Sequence, residues 1–98
     1  MEKKDRKYKF EFLLIDRDTK IEDQNVIQFT FINLGQTDVF INNQLYLEFR
    51  KPNNQTYSEF KEDIHTGQKT AQSYFIRFEG NGDKKNALQV IQKIEVFD

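Results

Sequence analysis

Cysteine is absent from this 98-residue chain, which excludes disulfides, thiolate zinc sites and cysteine nucleophiles. Alanine is scarce at two residues, and that shortage argues against a helical bundle, whose packing draws heavily on Ala and Leu. No apolar run approaches the ~20 residues of a membrane helix. The charged N-terminus also lacks the apolar core, roughly 7–15 residues long, of a signal peptide. The expectation is cytoplasmic synthesis without classical export and no membrane partner. A dominant charge of one sign is missing too. Fifteen basic and sixteen acidic side chains leave a net charge of −1, so no global field pulls the protein toward nucleic acid or an anionic membrane. The charged start (Glu2, Lys3, Lys4, Asp5, Arg6, Lys7, Lys9) is the sole candidate for a local basic strip, and residues 1–6 read as a solvated, frayed terminus.

What the chain does have is aromatic bulk. Hydrophobic residues are 37% of the total, yet ten Phe and four Tyr bring the aromatics to 14%, so core volume must come from a few large side chains. The length suits one domain, 1–98, burying about 65% of its unfolded surface.

Strand patterns recur along the chain. Residues 8–15 alternate, with Tyr8, Phe10, Phe12 and Leu14 on one face and Lys9 and Glu11 on the other, the period of a half-buried strand. Leu13 and Ile15 break the polar face, which suggests a more covered end. Residues 16–25 read as a polar connection containing Ile21. A strand over 26–33 groups Ile27, Phe29 and Phe31 against Gln28 and Thr30. Val39-Phe40-Ile41-Asn42-Asn43-Gln44-Leu45-Tyr46-Leu47 has the pattern of a tight hairpin. A three-residue loop aligns Ile41 with Leu45 and Val39 with Leu47 on one face and sets Phe40 against Tyr46 on the other. A two-residue loop would mix polar and apolar partners, whereas Asn tolerates the left-handed backbone that the longer loop requires. The second arm is expected to reach Phe49, and Pro52 suits the start of a turn within 50–55.

Residues 56–68 admit two readings: a short helix near 57–66 with a Thr56-Tyr57-Ser58-Glu59 capping box, or a short strand around 56–60 followed by a loop. Tyr74, Ile76 and Phe78 share a face of a strand at 72–79, with Phe75 and Arg77 on its reverse. Gly80 through Lys85 suggests a hairpin loop. The final strand, 87–97, carries Leu88, Val90, Ile94 and Val96, with Gln92 interrupting and Val90-Ile91 hinting at a bulge. Six to seven short strands predict an all-β antiparallel β-sandwich or small barrel.

The chemistry-bearing residues form no catalytic constellation. His65 stands beside Asp63 and Thr66 without a nucleophile motif. Asp16-Arg17-Asp18 with Glu22 and Asp23 misses the EF-hand pattern, since Lys20 and Ile21 fill the fifth and sixth positions. The Gly80–Lys84 stretch lacks Walker spacing and leads into a strand rather than a helix. Glu59, Glu62 and Asp63 have no readable aromatic cleft around them. No catalytic residue, metal ligand or cofactor is assigned, and the chain reads as a non-enzyme. Phe40, Tyr46 and Phe75 stand out because they oppose the core-facing sets, and outward aromatics mark contact sites for another chain or ligand. The alternative is that another part of the monomer covers them.

Val39-x-Ile41-Asn42, Leu45-x-Leu47, Tyr74-x-Ile76-x-Phe78 and Asn86-x-Leu88-x-Val90-Ile91-x-Lys93 together give the chain a resemblance, over roughly 26–96, to small β-rich proteins of Bacteroidetes phages and prophages. Those proteins commonly carry a Pro-Gly turn after the hairpin, where this chain has Phe49-Arg50-Lys51-Pro52-Asn53. The resemblance implies a structural protein of the virion or its assembly, with a protein partner or homo-oligomer and no catalytic residues. Two other classes stand beside it: an OB-like module binding single-stranded nucleic acid, disfavoured by the neutral charge, and a carbohydrate-binding sandwich.

Overall fold

The computed structural model describes residues 7–23, 26–64, 72–80 and 82–96. The described residues form an all-β sandwich of eight strands: β1 (Lys7–Ile15), β2 (Thr19–Asp23), β3 (Val26–Asn33), β4 (Asp38–Ile41), β5 (Leu45–Leu47), β6 (Glu59–Asp63), β7 (Gln72–Glu79) and β8 (Leu88–Val96). They form two antiparallel four-stranded sheets, ordered β1-β8-β3-β6 and β2-β7-β4-β5. The pairs β1·β8, β2·β7, β3·β6 and β4·β5 trace one long antiparallel ribbon. Lateral pairing of β3 with β8 and of β4 with β7 winds that ribbon into the strand order of a jelly roll.

Between the sheets lies a core built from a few large rings, as the composition requires. Phe29, Phe31, Val39, Ile41, Tyr74, Ile76, Leu88 and Val90 are buried at its centre. Tyr74 of the second sheet meets the two β3 rings edge-on, at 4.7 Å from Phe29 and 4.9 Å from Phe31, a favourable quadrupole arrangement. Its hydroxyl donates to Glu62 on β6 at 2.6 Å, so a ring from one sheet is hydrogen-bonded to the other.

The hairpin has the predicted register: Val39 opposes Leu47, Phe40 opposes Tyr46 and Ile41 opposes Leu45. Two loop residues take the left-handed conformation, Asn42 (φ 56°) and Asn43 (φ 53°), and the Gln44 N–H closes the turn on the Ile41 carbonyl at 3.2 Å. The second arm ends at Leu47, short of the expected Phe49, whose N–H instead donates to the Asp38 carboxylate at 2.9 Å. Pro52 occupies the second position of a turn closed by the Asn54 N–H on the Lys51 carbonyl at 2.9 Å.

Several expectations are corrected. The short helix near 57–66 is not formed over 57–64, where β6 pairs with β3, so Phe60 meets Phe31 across the ladder and Tyr57 lies outside the core. A long-range partner strand thus overrides the local capping-box signal. Residues 19–23, read as connection, are β2, with Ile21 buried. Gly80–Lys85 is not a hairpin loop, because β7 and β8 lie in different sheets and the segment crosses between them. β8 pairs without a register shift at Val90-Ile91, and Gln92 stays in the buried row. The bulge lies instead in β3, between Val26 and Gln28, so Val26 rather than Ile27 joins the buried set. Residues 1–6, expected to fray, and His65 lie outside the described residues.

The largest correction concerns β1. Its register aligns Ile15, Leu13, Glu11 and Lys9 with Leu88, Val90, Gln92 and Ile94, the inward row of β8. Tyr8, Phe10, Phe12 and Leu14 therefore point outward, and Phe12 and Leu14 are 63% and 69% exposed. Alternation is strict, so packing Ile15 against the core forces all four apolar residues to the opposite face.

Candidate functional site

The outer face of the β2-β7-β4-β5 sheet gathers the three aromatic residues picked out in the sequence. Phe40 and Tyr46, opposed on β4 and β5, have ring centroids 4.9 Å apart at 47°. The Tyr46 hydroxyl donates to the Asp38 carboxylate. That bond favours the neutral phenol. Partial burial and the charges of Asp38, Glu48 and Glu79 act in the same sense and push the Tyr46 phenol up to about 12.

Arg77 stands opposite Phe40 on β7 and holds its guanidinium 4.5 Å from the ring centroid. The same group is paired with Glu79 and donates to the Asn43 side-chain oxygen at 3.4 Å. Phe75 lies two residues before Arg77 on the same face, a diagonal step from Phe40. Its backbone is fastened to the hairpin tip, since the Asn42 N–H donates to the Phe75 carbonyl at 2.9 Å and the Phe75 N–H to the Asn42 side-chain oxygen at 2.8 Å. Lys20, opposite Phe75 on β2, reaches to 5.4 Å above its ring and 2.9 Å from Glu22. The Lys20 ammonium and the Ser73 hydroxyl hold the Glu22 carboxyl below the ordinary carboxylate range.

All three predicted residues thus share one surface, an aromatic centre edged by the Lys20–Glu22 and Arg77–Glu79 ion pairs. Phe75 and Tyr46 are 57% and 44% exposed, so the described residues leave them uncovered, while Phe40 is half-buried between Tyr46 and Arg77.

A second apolar surface, unsuspected from the sequence, is the outward row of β1. Tyr8, Phe10, Phe12 and Leu14 lie beside half-buried Ile91, which opposes Phe12, and the Lys93 ammonium sits 4.6 Å over the Tyr8 ring. The one local signal for this orientation is the apolar pair Leu13 and Ile15 on the nominally polar face.

Among the described side chains, the acidic candidates Asp16, Asp18, Glu59, Glu62 and Asp63 have structural partners. Asp18 accepts the Phe78 N–H at 2.8 Å, and Asp16 contacts Arg17 at 3.2 Å. Glu62 accepts from Tyr74, Asp63 from Gln28 at 2.8 Å, and Glu59 pairs with Lys61 at 3.5 Å. Among the described residues no group of three or more acidic or histidine side chains is placed to hold a metal, and no helix is long and apolar enough to cross a membrane. No protein-family model matches the chain, and it has no significant match among curated proteins or solved structures.

Proposed function

We propose that this chain is a non-enzymatic structural or interaction module that docks a protein partner on Phe40, Tyr46 and Phe75, and that its setting is a phage virion or virion assembly. One observation carries the docking surface: three aromatic side chains converge on an outward sheet face and are edged by ion pairs. An apolar centre with a polar rim is the anatomy of a protein interface, and aromatic and Arg side chains supply most hot spots. The phage setting draws on the resemblance of the hairpin and the last two strands. A jelly-roll strand order suits that setting, since capsid domains use it, although lectins and cupins share the order and the fold alone assigns no function.

Co-expression with the products of flanking genes, followed by size-exclusion chromatography with light scattering, tests the reading. A stable complex weakened about tenfold or more by combining Tyr46→Ser with Phe75→Ser is expected, as for loss of hot-spot aromatics. A wild-type chain that forms no complex with any of them, or a complex indifferent to those substitutions, overturns it.

The carbohydrate alternative rests on the same exposed Phe75 ring, flanked by Asn42 and Lys20. Glycan-array binding abolished by Phe75→Ser would favour it. The nucleic-acid alternative presupposed a five-stranded OB-like barrel, and the two-sheet strand order departs from that fold.

A further inference from the structure

We propose that a second copy of this chain pairs antiparallel with β1 about a two-fold axis at Phe10, joining the two β1-β8-β3-β6 sheets edge to edge. The inference deepens the interaction-module reading and rests on it only in taking outward apolar surface as contact surface.

Among the described residues β1 is an edge strand, paired with β8 on one side. At nine residues it is longer than the other sheet-edge strands, β2 and β6 with five each and β5 with three. Short edges are a standard protection against unwanted pairing, and β1 lacks it. It also lacks proline, and its ladder with β8 runs without a register shift. Beside its C-terminal end an open groove of about 390 Å³ separates Leu13, Leu14 and Ile15 from β2.

The charges on β1 select the partner. Lys9 and Glu11 occupy the face that also carries Leu13 and Ile15, remain exposed, and form an ion pair at 3.3 Å. Charges of this kind on an edge guard against foreign strands, because each would lie against an unmatched neighbour. A second copy is the exception. With the axis at Phe10, Lys9 opposes Glu11 of the second copy and Glu11 opposes Lys9 of the second copy, while Tyr8 and Phe12 oppose each other twice on the aromatic face.

Neighbouring symmetric registers lose this match. An axis at Glu11 sets two carboxylates face to face, and an axis at Lys9 sets two ammonium groups face to face. An axis at Phe12 places both charges against apolar residues, Glu11 on Leu13 and Lys9 on Ile15, with no ion pair left across the axis. The axis at Phe10 keeps both Lys9–Glu11 pairs and sets only Lys7 against Leu13. Like charges directly opposite destabilise a ladder, whereas opposite charges and aromatic pairs stabilise it. The contact is isologous, so it closes at a dimer rather than growing into a fibre.

Sedimentation equilibrium across a concentration series, with circular dichroism to confirm folding, tests the pairing by charge exchange. Wild type is expected to dimerise. Lys9→Glu and Glu11→Lys alone should each weaken self-association by about tenfold or more, as like charges then meet across the axis. Mixing these two single variants should yield a heterodimer, and the double variant Lys9→Glu/Glu11→Lys should dimerise within about threefold of wild type. A monomeric wild type, single variants that dimerise unchanged, or no rescue in the mixture and the double variant overturns the pairing. Self-association lost in Phe75→Ser but retained in Lys9→Glu places the second copy on the other sheet; it overturns this inference and leaves the module reading standing.

Discussion

Asn33 shows how much one polar side chain can hold. It is fully buried, its Nδ2 donates to the carbonyls of Thr37 at 2.8 Å and Leu47 at 2.9 Å, and its Oδ1 accepts the Gly35 N–H at 3.0 Å. One amide therefore ties the end of β3 to the turn that follows it and to β5 in the opposite sheet. Gly35 is required in that turn because a Cβ there would lie 2.5 Å from the Ala87 nitrogen and 2.8 Å from the Lys85 carbonyl oxygen. Replacing Asn33 with Ala removes the partner of two buried carbonyls and of the part-buried Gly35 N–H. Urea unfolding should show a loss of about 2–4 kcal/mol, since each buried group left unpaired costs roughly 1–3 kcal/mol and partial relaxation recovers some of it. In the sequence Asn33 looks like the polar end of a strand. The Leu47 carbonyl lies 14 residues away, so no local pattern betrays its burial.

At the scale of elements, the β4–β5 hairpin was legible because everything that specifies it is local. Side-chain alternation sets the pairing of Val39 with Leu47, and two Asn residues accept the left-handed backbone that the loop needs. Asn43→Ala should lower stability by about 1 kcal/mol and Asn43→Gly should leave it within about 0.5 kcal/mol of wild type, because only a Cβ is penalised at positive φ. Thermal melts of the two variants check the difference. β1 was legible as a strand but not in its facing. Four apolar residues on one face outnumber two on the other, and simple alternation assigns the larger set to the core. The ladder with β8 decides otherwise, since Ile15 and Leu13 lie beside Leu88 and Val90 in the inward row. β6 went partly astray for a related reason: a capping box is a local signal, and pairing with β3 outweighs it.

For the whole molecule, Tyr74 joins the sheets and makes stability depend on alkaline pH. Burial first, then the hydrogen bond to and charge of Glu62, push its phenol well above the ordinary tyrosine range. Tyr46 is raised in the same sense, chiefly by its bond to Asp38. A folded-state value above the unfolded one, near 10, means that the stabilisation is complete below about pH 10 and is lost as pH rises through the folded values. Urea unfolding in a pH series should show stability falling above about pH 10. Tyr74→Phe should fall less steeply over the same range, and an equal slope in that variant would exclude Tyr74 as the cause.

The sequence by itself determined the all-β class, the hairpin register, the buried face of β7, the inward Leu88 and Val90 of β8, and the outward facing of Phe40, Tyr46 and Phe75, because strand alternation and turn geometry are properties of neighbouring residues. Tertiary structure alone decided which strands pair, and so everything that depends on pairing: the jelly-roll order, β2 emerging from a polar stretch, the bulge beside Ile27 and the outward turn of Tyr8, Phe10, Phe12 and Leu14. The physical reason is the two-residue period of a strand. It says which side chains share a face, but only the partner across the ladder says whether that face meets the core or water.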